Sequence, residues 1–245
     1  MIFFLFIRST LFLFFITILS IFWCLLLYLS LAFTFKVRKY LFYIWSRLIL
    51  ISIKIFCGIK YKIKGLENIP KNKSIIFFSK HQSAWETFAF LSLLPNSCFI
   101  LKKSLLNIPF FGWGMRLGRH IAIDRKLGIY SIKKILKLGE KRKLEGLSII
   151  IFPEGTRTLP NEHPKFYTTG IVLAQKTKSK IIPIVLNSGK FWPKNKWIKF
   201  PGTILVLIGK SIDVVNLDRK VINKYLYKWI KNNSIKLEEI FSKFD

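Results

Sequence analysis

An α/β fold is predicted: one layered domain with a largely parallel, mixed sheet flanked by helices, preceded by an N-terminal transmembrane helix. Three observations predict it. The first 35 residues carry Arg8 as their only charge. From residue 74 onward, short apolar runs bounded by turn residues alternate with amphipathic stretches, which is how strands and helices alternate in a mostly parallel sheet. The chain of 245 residues is 51% hydrophobic, which gives it enough apolar surface to offset the entropy of ordering. No internal repeat or low-complexity linker divides it.

The run Ser9–Phe35 contains no acid, base, Gly or Pro. It exceeds the roughly 20 apolar residues that cross a bilayer core, and it is longer than the apolar region of a cleaved signal. It reads as a retained anchor over residues 1–36. Lys36, Arg38, Lys39 and Arg47 follow before the first acid, Glu67, and this bias places the remainder on the cytoplasmic face, expected to be that of a bacterial inner membrane. Residues 37–64 form a basic amphipathic segment. Arg47 and Lys54 lie seven apart and share a helix face. Three placements are open for it: a helix in the lipid interface, a helix packed on the domain, or a second span that its charges oppose.

The catalytic domain is expected over residues 65–245. Ser74–Ser79 is a buried strand, and Ala84–Leu94 a helix stopped by Pro95. Ser97–Leu101, Ile121–Ile123, Leu147–Phe152, Ile181–Leu186 and Thr203–Ile208 read as strands. Gly128–Leu144, Thr169–Lys176 and Asn223–Phe241 read as helices, the first and last amphipathic and basic.

Charge narrows the function. With 41 basic and 12 acidic residues, the net charge of +29 calls for an anionic partner: a phospholipid surface, a phosphorylated substrate or nucleic acid. The basic residues are spread along the chain rather than gathered into a nucleic-acid-binding module, so nucleic acid is not expected. Three scattered cysteines form no CxxC pair, and no two of the three histidines stand at metal-ligand spacing, so no metal site is expected.

Four segments carry chemistry. His81-Gln-Ser-Ala-Trp-Glu86 follows a strand directly, where open α/β sheets place ligands. A histidine there acts as a base near neutral pH, and a carboxylate five residues on is able to orient it. The same residues fit a capping box, in which Glu86 returns to the backbone of Ser83. In Gly118–Arg125, Arg119 and Arg125 are candidate phosphate ligands, because a guanidinium grips two oxygens at once. Phe152-Pro-Glu-Gly-Thr-Arg157 offers a close-approach turn at Gly155, a hydroxyl at Thr156 and fixed charge at Arg157. Ile181–Asn187 is an apolar strand that contains Pro183, by itself only a buried or edge strand.

In this order, the four blocks resemble the glycerolipid acyltransferase family, specifically 1-acyl-sn-glycerol-3-phosphate acyltransferases, over about residues 60–210. The resemblance implies a membrane-bound enzyme of phospholipid synthesis. It would move an acyl chain from acyl-CoA or acyl carrier protein to the sn-2 hydroxyl of lysophosphatidic acid, with no metal or cofactor. It assigns His81 as general base and Glu86 as its orienting acid. Arg125, Glu154, Gly155, Thr156 and Arg157 would form the acceptor-phosphate site, and Pro183 would lie in the acyl-donor region. Glu86 stands where the family more often has Asp, and Lys80 where many members have Asn. A lysine that often precedes the helix at Gly170 is absent here, and Lys165 is its candidate replacement. The alternatives are another lysolipid or glycerol-3-phosphate as acceptor and, more distantly, a membrane-tethered nucleic-acid binder. Oligomeric state is not legible.

Overall fold

Strands buried on both faces read as unbroken apolar runs, and five such runs build the centre of the sheet. A computed structural model describes residues 1–70 and 73–242. The strands are β1 (Ile59–Lys64), β2 (Ile76–Ser79), β3 (Ser97–Lys102), β4 (Ile121–Ile123), β5 (Ser148–Ile151), β6 (Ile181–Leu186) and β7 (Gly202–Ile208). They form one seven-stranded sheet in the order β1-β7-β6-β2-β5-β3-β4. Strands β2 to β6 run parallel, so their C-terminal ends share one edge. β7 is antiparallel to β6 and parallel to β1.

The helices are α1 (Ile2–Leu29), α2 (Phe35–Cys57), α3 (Trp85–Leu93), α4 (Phe111–Arg116), α5 (Ile129–Leu144), α6 (Thr169–Lys176) and α7 (Arg219–Ser242). One face of the sheet, through Phe77, Ile150 and Ile182, packs against α1, α2, α3 and α4. The other, through Ile76, Phe78, Ile149 and Ile151, packs against α5, α6 and the start of α7. On α7, Ile222, Leu226 and Ile230 recur every fourth residue and are buried, the single apolar stripe that its periodicity predicts.

The N-terminal region departs from a single anchor. Both α1 and α2 are long and apolar enough to cross a membrane. They fold back on each other as a hairpin, with the Trp23 and Trp45 rings stacked at 3.9 Å. Arg8 donates to the carbonyls of Ile55 and Phe56 at the C-terminal end of α2, where carbonyls lack helical partners. The hairpin lies along the domain. Ser9 Oγ accepts from the Lys199 amide at 2.8 Å, and Phe12 meets Trp192 edge-on. Phe3, Phe14, Phe22 and Leu29 remain exposed on its outer side. From residue 37 the segment is helical and packs one face on the rest of the protein: Phe42, Trp45, Ile49 and Ile53 are buried, while Arg47 and Lys54 face outward. Its expected end at residue 64 also shifts, because Ile59–Lys64 is the sheet's edge strand β1. The lysines of β1 occupy exposed positions, a common protection of an open edge.

Pro183 sits inside the sheet without breaking it. It falls between the Ile184↔Ile208 pair and the isolated Ile181↔Ile212 bridge. Its carbonyl accepts from Gly209 at 2.9 Å, so the missing amide coincides with an interruption of the ladder.

Contact between α4 and α1 depends on Gly114, where a Cβ would lie 2.4 Å from the Trp23 ring. Gly114→Leu should cost about 1–3 kcal/mol through overpacking, visible as a lower thermal midpoint of the detergent-solubilised protein. An unchanged midpoint would refute the close approach.

Candidate active site

The site forms along the C-terminal edge of the parallel strands. β2 ends at Ser79, and the next two residues are held by the loop that follows β5. The His81 amide donates to Glu154 Oε2 at 2.8 Å. The His81 carbonyl accepts from the Thr158 amide at 2.8 Å and from Thr158 Oγ1 at 3.1 Å. With both backbone groups fixed, the imidazole stacks on Phe152, centroids 3.9 Å apart. Nδ1 is buried and has no hydrogen-bond partner among the described residues. Burial, reinforced by the positive charges of Arg157, Arg125 and Lys194, pushes the His81 pKa down to about 3. The ring is neutral at physiological pH and able to accept a proton.

Glu86 does not orient this ring directly. It stands in the first turn of α3, and its carboxylate turns back on the chain. Oε1 accepts from the Gln82 amide at 2.7 Å and from Ser188 Oγ at 2.8 Å. Oε2 accepts from Ser83 Oγ at 2.8 Å and, with Oε1, shares the Ser83 amide at 3.0 Å. This is the return half of a capping box, with Ser83 Oγ accepting from the Trp85 amide at 3.0 Å, extended by the Ser188 hydroxyl just after β6. Burial raises the Glu86 pKa, and the amide hydrogen bonds oppose that rise. Glu86 therefore acts on His81 through the main chain of residues 82 and 83.

Glu154 is likewise no phosphate ligand. Its carboxylate points inward and pairs with Lys80 Nζ at 3.3 Å, both side chains almost wholly excluded from solvent. Lys80 also donates to the Glu162 carbonyl at 2.8 Å. Burial raises the Glu154 pKa to about 7 against the pull of Lys80 and the His81 amide. Lys80, where the family pattern often has Asn, thus supplies the counter-charge for the carboxylate that holds His81.

A cavity of about 250 Å³ opens beside the imidazole. Lys102, Arg125 and Arg157 line it near His81, while Phe88, Leu105, Ile108, Phe111 and Met115 make the rest apolar. The expected phosphate set is divided. Arg125 and Arg157 share the cavity of His81, whereas Gly155 and Thr156 line a neighbouring cavity behind Phe152, which Arg125 also borders. Gly155 has φ +72°, and a Cβ there would lie 2.8 Å from the Tyr167 ring, so the turn requires glycine. Arg119 is engaged elsewhere, 3.2 Å from Glu145 and stacked over Phe35. Lys165 lines neither cavity. Nor does Pro183, which lies against Gly209. Sequence reasoning missed Lys102 and Lys194. Lys194 Nζ donates to the Arg157 carbonyl at 2.7 Å from a loop that carries no recognisable signal.

Residues 60–187 match the acyltransferase family model. A 1-acyl-sn-glycerol-3-phosphate acyltransferase of Pseudomonas aeruginosa is 40% identical over 168 residues, 69% of this chain and 65% of its own length. The protein of that name from Saccharomyces cerevisiae is 32% identical, covering 72% of this chain and 59% of its own. Against a chloroplastic relative from Arabidopsis thaliana, the chain spans only 46% of that protein's length. Among solved structures, the 1-acyl-sn-glycerophosphate acyltransferase of Thermotoga maritima superposes with a TM-score of 0.79, covering 95% of each chain at 22% identity.

The buried pair gives a stability test. Lys80→Met strands a buried carboxylate and should cost about 3–5 kcal/mol in denaturant unfolding. Adding Glu154→Gln should restore most of the loss, since a neutral amide oxygen still accepts from His81. Additive losses would contradict the pairing.

Proposed function

We propose, since this chain belongs to the acyltransferase family, that it moves an acyl chain from a thioester donor to the sn-2 hydroxyl of a 1-acylglycerol 3-phosphate, yielding phosphatidate. One observation carries the proposal: the His81 imidazole, which no carboxylate engages, lines a cavity together with Lys102, Arg125 and Arg157 and with the apolar side chains of Phe88, Ile108 and Phe111.

The chemistry follows from that arrangement. The acceptor's phosphate rests on Arg125 and Arg157, and its hydroxyl meets His81. As the hydroxyl oxygen attacks the thioester carbonyl carbon, its proton passes to the imidazole. The tetrahedral intermediate collapses with cleavage of the C–S bond, and the imidazolium returns the proton to the departing thiolate. The donor is already activated, so orientation and one base suffice. Arg125 and Arg157 serve twice. In the free protein their charge depresses the basicity of His81. A bound phosphate offsets that charge, so the imidazole becomes a stronger base when acceptor is present. The donor's acyl chain lies along Phe88, Ile108 and Phe111, and its carrier is coenzyme A or acyl carrier protein.

The outer face of the hairpin sits in lipid, with the basic start of α2 on the cytoplasmic side. α4, which borders the cavity through Phe111 and Met115, packs on the same hairpin, so a lipid acceptor has a short route from bilayer to base.

His81→Ala should reduce turnover by about 10²–10⁴-fold with the protein still folded and membrane-bound. Arg157→Ala should raise KM for lysophosphatidate, and Arg157→Lys should recover only part, because an ammonium lacks the bidentate fork. A panel of acceptors with membranes and labelled donor tests the assignment: lysophosphatidate should far exceed its dephosphorylated analogue, and equal rates would overturn the phosphate site.

A further inference from the structure

The cavity behind Phe152, of about 360 Å³, is larger than the one beside His81 and has no part in the chemistry above. It lies on the side of the sheet that carries α5 and α6, lined by Ile123, Ile132, Ile135 and Ile151 with the polar edges of Thr156 and Tyr167. Apart from Phe35 at the start of α2, the hairpin packs on the opposite side of the sheet. The two cavities touch: Ile100, Arg125 and Phe152 line both. Phe152 divides them, with His81 stacked on it from the reaction side.

Resting on the acyltransfer reading, we infer that this second chamber takes the pantetheine arm of the thioester donor, the part common to coenzyme A and acyl carrier protein. The argument is one of continuity. The thioester carbon must sit at His81, and its acyl chain fills the apolar end of the first cavity. The sulfur and everything beyond it must leave by another path. An acceptor that arrives from the bilayer occupies the hairpin side, which leaves the seam at Arg125 and Phe152 as an exit to the other side of the sheet. The arm alternates amides with short alkyl links and a gem-dimethyl group. That matches a chamber whose walls are isoleucine and whose rim carries hydroxyls and a guanidinium.

The full-length protein in detergent tests this with one acyl chain presented on two carriers, 4′-phosphopantetheine and the truncated N-acetylcysteamine. Binding energy from the remote arm should give the long-arm donor a kcat/KM about tenfold or more above the short one. Ile132→Trp, which fills the chamber from a partly exposed position on α5, should raise KM for the long-arm donor and pull that ratio toward unity. Equal use of both donors by the unmodified protein would overturn the inference, with no variant required. So would an Ile132→Trp protein whose KM rises for lysophosphatidate instead of the donor. No transfer to lysophosphatidate from either carrier would refute the acyltransfer reading itself, and this inference with it.

Discussion

Glu154 joins two segments that are 73 residues apart, accepting from the His81 amide with one oxygen and from buried Lys80 with the other. A carboxylate this deep is costly unless it is paired and hydrogen-bonded, and here it is both. The arrangement ties the loop after β5 to the end of β2, and Thr158 closes the tie by donating to the His81 carbonyl. On the far side of the histidine, Glu86 holds residues 82 and 83 in the same way. Two buried carboxylates thus fix the main chain around one residue and leave its side chain free.

That division of labour explains the electrostatics. The imidazole draws no charge from either acid by hydrogen bonding, and it is surrounded by cations. It is therefore held neutral, the form a general base needs, at the expense of basic strength. On the proposed reading, an anionic acceptor supplies what is missing, and binding and activation become the same event: its phosphate also offsets the Arg125 and Arg157 charge that lowers the basicity of His81. Phe152 takes part as well, as a flat support for the ring and as the partition between two chambers.

Much of this was legible in the sequence. The runs SIIFFS, LSIIIF and IIPIVL are strands because only a sheet covered on both faces buries them, and His81 and Arg157 follow two of those strands directly. What was hidden depended on direction rather than on residue type. The capping box and the histidine–acid pair use the same Ser83 and Glu86, and only the turn of the carboxylate decides between them. The family resemblance placed Glu154 in an anion site, yet its carboxylate points inward to Lys80. Lys80 gave no hint of burial, since lysine is almost never buried without a partner, and its partner is remote in sequence. The α1–α2 hairpin was concealed by an apolar pattern that suits lipid and protein equally. The contacts that form it, the Trp23–Trp45 stack and the close approach of Gly114 to Trp23, join residues remote in sequence. β1 was hidden because alternate lysines made Ile59–Lys64 resemble the end of a basic amphipathic helix.

The central claim is that His81 is a neutral, charge-suppressed base whose ring no carboxylate engages. Nitrogen-15 NMR of histidine-labelled protein, with His81→Gln used to assign the signal, reads it directly. Imidazole shifts of a neutral ring should persist well below the ordinary histidine pKa of about 6.5, with the titration moving upward when lysophosphatidate is added. Titration near the ordinary value in the free protein, or an imidazolium signal at neutral pH, would contradict it.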